Sequence, residues 1–312
     1  MRCGTLAETT FILAAACSTA LFASSLAPET GDAVLRGARI HARTCAACHG
    51  VEGRGDGPGA RELSPRPRDF TAGKFRYRST ESGSPPRRSD IEHVVQVGRA
   101  GTAMPAFGGL LSQSEIADVV AFILSLRRSS PSDQEPEAFS LPPFPEANAE
   151  QRSEGRALYL VVGCWKCHGT DGSGRGPSAR ELRNYEGRPI RPRDFRYDAF
   201  RGGHNFENVA FAVLSGLSGT PMPSHAEVLV VPRESVDAVL PSLPPDVRPE
   251  VEEFRLAAPS REEIAALDDA DWLRIRDRNL VALAQYVLSL SRRDHFFYRL
   301  FGEDPELEAR KP

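Results

Sequence analysis

Apolar residues recur at helical spacing in several stretches of this chain, and no stretch alternates convincingly over a strand's length. The clearest run opens with the capping-box sequence Ser112-Gln113-Ser114-Glu115 and then sets Ile116, Val119, Val120 and Ile123 along one helix face. A matching run from about Arg278 to Leu290 predicts a counterpart near the far end. Residues 32–44 and 151–162 predict two further helices, and one beginning after Ser89 carries Ile91, Val94 and Val95 on one side. With no hairpin signals, and with 25 Pro and 26 Gly breaking the chain into short elements, the expected fold class is all-α and loop-rich.

The earliest apolar stretch, Phe11 to Ala23, is too short to span a bilayer comfortably. It follows Arg2 and leads into the small residues Ala23, Ser24 and Ser25, so residues 1–25 read as an export signal. Leu13 to Cys17 also resembles a bacterial lipoprotein processing site with Cys17 as the lipidated residue, although the leucine sits one place too early. Cleavage, lipidation at Cys17 and a retained anchor all remain open. No later segment is apolar enough to cross a membrane, so membrane contact is expected only through the N-terminus.

Laying Cys45 on Cys164 aligns two parts of the chain. Cys48, His49, Gly50, Gly53, Gly55, Gly57 and Pro58 fall on Cys167, His168, Gly169, Gly172, Gly174, Gly176 and Pro177. Ala60-Arg61-Glu62-Leu63 matches Ala179-Arg180-Glu181-Leu182, and after six extra residues Arg66-Pro67-Arg68-Asp69-Phe70 matches Arg191-Pro192-Arg193-Asp194-Phe195. Gly101-Thr102-Ala103-Met104-Pro105 then meets Gly219-Thr220-Pro221-Met222-Pro223. Ordered blocks of this kind predict two copies of one domain, at 32–128 and 151–292. A Pro-rich, semi-rigid linker at 129–150 joins them. The second copy carries an insertion at about 226–276, read as a peripheral elaboration with one short helix opened by Ser260-Arg261-Glu262-Glu263. A tail at 293–312 holds the aromatic cluster Phe296-Phe297-Tyr298.

Composition narrows the function classes. The 312 residues are 40% hydrophobic with a formal net charge of -3, which argues against nucleic acid or an anionic membrane as a partner. Of six cysteines, Cys3 and Cys17 lie in the signal segment, and the other four form two C-x-x-C pairs, each followed directly by histidine. A lone C-x-x-C also suits zinc or thiol redox chemistry. The adjacent histidine makes attachment of haem c the leading reading, because two thiols can add across the two vinyl groups of one macrocycle and leave the next residue beneath the iron. Zinc would want four ligands per closed site, and no second Cys/His pair lies at the needed spacing in either copy. The expected cofactors are therefore two covalently attached haem c groups with their iron, bound through Cys45, Cys48, Cys164 and Cys167, with His49 and His168 as axial ligands.

The sixth ligand is the informative question. Apart from the initiator, the chain has two methionines, Met104 and Met222, 55 and 54 residues after their histidines and in equivalent Gly-Thr-x-Met-Pro settings. Methionine as flexible core filler does not account for that equivalence. Thioether ligation at both sites fills each iron and suits outer-sphere electron transfer. His225, three residues after Met222, is the one other histidine near a ligand block and competes for the second site.

In order, the C-x-x-C-H, the Gly-Pro, the Met-Pro and the closing helix resemble class I cytochrome c domains, in both copies. The resemblance implies two tandem domains, each wrapped around a haem. It also implies that Pro58 and Pro177 offer backbone carbonyls to the proximal histidines, although both lie closer to the histidine than the family pattern has them. The arginines Arg61, Arg180, Arg68 and Arg193 either pair with haem propionates or sit in solvated turns. The expected role is relay of single electrons between a redox donor protein and a redox acceptor protein. It would be played in the periplasm or on the outer face of the cytoplasmic membrane, as a carrier or as a subunit of a respiratory complex, with no catalytic residue of its own. The alternatives are a di-haem oxidoreductase such as a peroxidase with one reactive haem, and a docking or scaffold protein.

Overall fold

A computed structural model of the chain describes residues 31–128, 135–146 and 148–292. The export segment with Cys17, the start of the linker at 129–134 and the tail at 293–312 lie outside the described residues. Among the described residues no β-strand forms, and extended pairing is confined to isolated bridges at Thr80–Ala138 and Arg183–Pro189. The all-α expectation holds. No described helix is long and apolar enough to cross a membrane.

The N-terminal half is built from α1 (Gly31–Thr44), α2 (Ala46–His49), α3 (Arg88–Val97) and α4 (Gln113–Ser125). The predicted capping box is present: Ser112 Oγ accepts from Glu115 N at 3.3 Å, and Glu115 Oε2 accepts from Ser112 N at 3.0 Å. The apolar face of α4 is buried against Ile40, Ile91 and Val95, with Phe70, Phe75 and Phe107 closing the core. The helices α1 and α4 cross at Gly37, where a Cβ atom would stand 1.9 Å from the Asp118 carbonyl oxygen. Arg36 marks the same crossing with a fork onto Asp118 at 2.6 and 2.8 Å.

The C-terminal half repeats this plan with α5 (Ala149–Val161), α6 (Trp165–His168) and α7 (Phe206–Ser215), followed by α8 (Arg233–Val239), α9 (Arg248–Ala257), α10 (Arg261–Ala265) and α11 (Asp269–Ser289). Here α5 crosses α11 at Gly155, and a Cβ there would lie 2.0 Å from the Ala282 carbonyl oxygen. The insertion differs from expectation. It contains α8 and α9 as well as the short helix after Ser260, and it is no peripheral elaboration. Leu229, Val231, Val236, Leu243, Val247 and Val251 all enter the second core, and each such burial stabilises by about 1.5–3 kcal/mol over exposure. Proline hid α9 from the sequence reading, because Pro249 stands in the first turn, where a missing N–H costs nothing. The closing helix likewise begins nine residues before Arg278, at Asp269, capped by Asp268, whose carboxylate accepts from Asp271 N at 2.8 Å. With the insertion packed on it, α11 is buried on every side from Asn279 to Val287.

The described part of the linker is docked along both halves. Glu135 takes hydrogen bonds from the Arg87 side chain and the Arg88 amide, both at 2.9 Å. Farther on, Phe139 and Leu141 pack against the second core, and Phe144 stacks on Phe206 with ring centres 4.3 Å apart. The halves also touch directly: Arg78 donates to the Ser215 carbonyl at 3.0 Å, and Ser215 Oγ donates back to the Arg78 carbonyl at 3.0 Å.

Candidate functional site

Each C-x-x-C-H sequence folds as one helical turn. His49 N donates to Cys45 O at 2.9 Å, and His168 N donates to Cys164 O at 2.9 Å. Helical spacing sets the first cysteine of each pair three residues before the second and four before the histidine, so the three side chains leave one side of the turn. Gly50 and Gly169 end these turns at φ 77° and 79°, a left-handed backbone that favours glycine. In the loop beyond, Gly55 N donates to His49 O at 2.8 Å and Gly174 N to His168 O at 2.7 Å.

Both histidines are held in the same way. His49 Nδ1 donates to the Arg68 carbonyl at 3.0 Å and His168 Nδ1 to the Arg193 carbonyl at 3.1 Å. That bond fixes the tautomer and leaves Nε2 with its lone pair free for a metal. Phe70 stacks on His49 with ring centres 4.4 Å apart, and Phe195 on His168 at 4.3 Å. These acceptors correct the expectation for Pro58 and Pro177. Both prolines are exposed, and the carbonyl that meets each histidine comes from the Arg-Pro-Arg-Asp-Phe block. Arg61 and Arg180 are exposed as well, while Arg68 and Arg193 line a cavity. The Arg193 guanidinium pairs with Asp198 at 3.2 Å.

The methionine turns are also duplicated. Thr102 Oγ1 donates to the Arg99 carbonyl at 2.8 Å and accepts from Met104 N at 3.1 Å. Thr220 does the same between Leu217 and Met222, at 2.7 and 3.2 Å. The threonine of the Gly-Thr-x-Met block is therefore a lock on the turn that presents the methionine. Gly98 and Gly216 end the preceding helices at φ 69° and 66°, and a Cβ at either would stand 2.6 Å from the backbone just after the methionine.

In the second half the sequence-predicted residues converge. A cavity of about 1150 Å³ is lined by Cys164, Cys167, His168 and Met222 together, and by His225. This is room for a cofactor rather than a bare ion. In the first half Cys45 and Met104 pack against the first core, whose Phe70 carries the His49 ring.

Electrostatics suit haem attachment better than the rival chemistries. Burial pushes the Cys164 thiol up to about 12 and raises Cys45 and Cys167. A thiol redox centre would need the opposite shift, toward thiolate. Burial also pushes His168 down to about 4 and lowers His49, which keeps both imidazoles neutral as metal ligands must be. Among the described residues no group of three His, Cys, Asp or Glu side chains converges into a closed metal site, as structural zinc would require.

Two residues escaped the sequence reading. Arg76 and Arg201 line the cavity around His168, and each has a buried Nε with no hydrogen-bond partner. Their signal was present: the pair Phe75-Arg76 follows Phe70 at the spacing at which Phe200-Arg201 follows Phe195.

Comparison with known proteins agrees with this geometry. Residues 34–127 match the family model described as cytochrome c. Among solved structures, the chain is similar to a component of a reducing HAO-like protein complex from Kuenenia stuttgartiensis. The two share 29% identity over 82% of this chain and 96% of that one, with a TM-score of 0.63. A search of curated proteins found no match.

Proposed function

We propose that this chain is a di-haem c-type cytochrome made of two tandem cytochrome c domains, relaying single electrons between redox proteins outside the cytoplasm. The observation that carries the reading is the duplicated support of the two histidines: the same carbonyl bond, the same stacked phenylalanine and the same threonine-locked methionine turn recur in both halves. A second copy kept to this detail is consistent with a second haem.

Cys45 and Cys48, and likewise Cys164 and Cys167, would hold the two haems. Each thiol would add across one vinyl double bond, with its hydrogen going to the neighbouring carbon, so attachment would need no oxidant. Bound haem supplies a one-electron iron couple. His49 with Met104, and His168 with Met222, would ligate the two irons, a ligand set that favours a carrier over a peroxidase. Nδ1 of each histidine stays protonated on its carbonyl, and the stacked phenylalanine keeps the ring from turning. The partners fitting this role are a donor and an acceptor redox protein, and likeness to a component of a protein complex favours a place in an assembly. Residues 1–25, read as an export signal, support a role in the periplasm or on the outer face of the cytoplasmic membrane, with Cys17 as a lipid anchor if that site is processed.

The test is axial ligation. Met104→Ala and Met222→Ala should each convert one of two low-spin haems to a form that binds carbon monoxide when reduced, and should lower that haem's potential. Unchanged spectra and potentials in both variants would rule out methionine ligation. Carbon monoxide binding at one haem of the unmodified protein would favour an enzyme with a reactive haem.

A further inference from the structure

The cavity around His168 is not made by the C-terminal half alone. Arg66, Arg68, Arg76 and Tyr77 reach it from the N-terminal half. Its lining holds eight arginines and Lys166 against four carboxylates, in a protein whose formal net charge is -3. The four carboxylates are already engaged. Asp198 pairs with Arg193 at 3.2 Å, Asp194 with Arg196 at 2.9 Å and Glu186 with Arg188 at 3.2 Å, while Asp69 accepts from the Thr71 amide and hydroxyl at 2.8 and 2.7 Å. Even with all four carboxylates counted, the cavity wall keeps a positive surplus.

Arg76 and Arg201 are the centre of that surplus. They hold equivalent positions in the two halves, yet both line this one cavity. Burial lowers the Arg76 guanidinium to about 10, and the like charges of Arg68 and Arg201 add to the effect. Arg201 is lowered in the same manner by burial and by Arg193. Neighbouring groups hold this arrangement: Arg99 donates to the Arg201 carbonyl at 3.3 Å and lies over the Tyr77 ring at 4.1 Å. Partly desolvated guanidiniums of one sign are costly unless an anion joins them. Arginine's fork matches carboxylate geometry, and haem carries two propionate carboxylates on one edge.

We infer that Arg76 of the N-terminal half and Arg201 of the C-terminal half together bind the propionate carboxylates of the haem held at His168, so that the first domain completes the second haem site. The inference rests on the proposal that the second half carries haem c. It assigns a function to the interface: the first domain sets the potential of the second haem through Arg76, and the halves assemble as one redox unit. Cationic charge beside a haem stabilises the reduced iron, so removing it lowers the potential.

The experiment uses the full-length haem-loaded protein and its Arg76→Gln, Arg201→Gln and Arg76→Lys variants, titrated spectroelectrochemically. The second haem is identified as the component missing from a Cys164→Ala/Cys167→Ala variant. Arg76→Gln and Arg201→Gln should each shift its redox equilibrium about tenfold toward the oxidised form, about 59 mV for one electron. The visible spectrum should stay unchanged, and Arg76→Lys should keep most of the potential. A merely structural role would move thermal stability and not the potential. If Arg76→Gln moves only the first haem, or neither, the cross-domain assignment is overturned. If sulfate at constant ionic strength shifts the second haem in the unmodified protein and not in Arg76→Gln, the cluster binds a free anion and the assignment is again overturned. Should Arg76→Gln fail to fold, Arg201→Gln and Arg76→Lys carry the same test. Finding one haem per chain would instead refute the di-haem reading itself.

Discussion

The α5–α11 crossing gives the sharpest stability prediction, because a single hydrogen decides it. A Cβ at Gly155 would lie 2.0 Å from the Ala282 carbonyl oxygen and 2.9 Å from Tyr286 Cβ, one turn along the same helix. Carbon–oxygen contacts settle at roughly 3.3 Å. Gly155→Ala therefore forces the helices apart by about 1.3 Å, against a backbone group that no rotamer change can relieve. Overpacking of this kind costs about 3 kcal/mol at the upper end of its usual range. Alanine's better helix propensity returns about 1 kcal/mol. The net loss is about 2 kcal/mol, or a fall of roughly 4–8 °C in melting temperature for a unit of this size. The assay is a thermal melt followed by far-ultraviolet circular dichroism at matched haem loading. Gly31→Ala serves as the control, since a Cβ there meets nothing within 4 Å, and it should leave the melt nearly unchanged. If Gly155→Ala melts at or above the unmodified protein, the helices do not cross with their backbones in contact and the packing argument fails.

Two further predictions concern charge and the interface. His41 is 1% exposed in the first core, and burial, reinforced by His49, pushes it down to about 4. The unfolded chain takes up this proton below about pH 6.5, so stability falls as pH drops from about 6.5 toward 4. His41→Leu, which copies the equivalent Leu160, should flatten that slope in denaturant melts at pH 7 and 4.5; an unchanged slope would contradict it. Ser215→Ala removes the hydroxyl that donates to the buried Arg78 carbonyl between the halves. It should cost about 1–3 kcal/mol in urea unfolding, and no loss would mean that the pair does not couple the halves.

Much of this organisation could be read from residues alone, and the limits have physical causes. Side-chain chemistry left a trace: the C-x-x-C-H pairs, the two matched methionines and the capping boxes at Ser112 and Ser260 all carry it in residue type. Backbone chemistry did not. The histidine acceptors are carbonyls of Arg68 and Arg193, and any residue supplies a carbonyl, so the family pattern pointed instead to Pro58 and Pro177. The insertion was misjudged because Pro241 to Pro249 reads as loop until Pro249 is seen opening α9, and because burial of Leu229 or Val236 depends on what packs over them. Arg76 and Arg201 show a third limit. Their equivalence is visible in the repeat, but their meeting in one cavity depends on how the halves dock.

The central claim is that both halves carry covalent haem, and the most direct test is to count it. Intact-mass spectrometry of the exported protein, with haem quantified as its pyridine complex, should find two haems per chain. It should find one in the Cys45→Ala/Cys48→Ala variant and one in the Cys164→Ala/Cys167→Ala variant. A single haem in the unmodified chain, with Cys164 and Cys167 recovered as free thiols, would contradict the account.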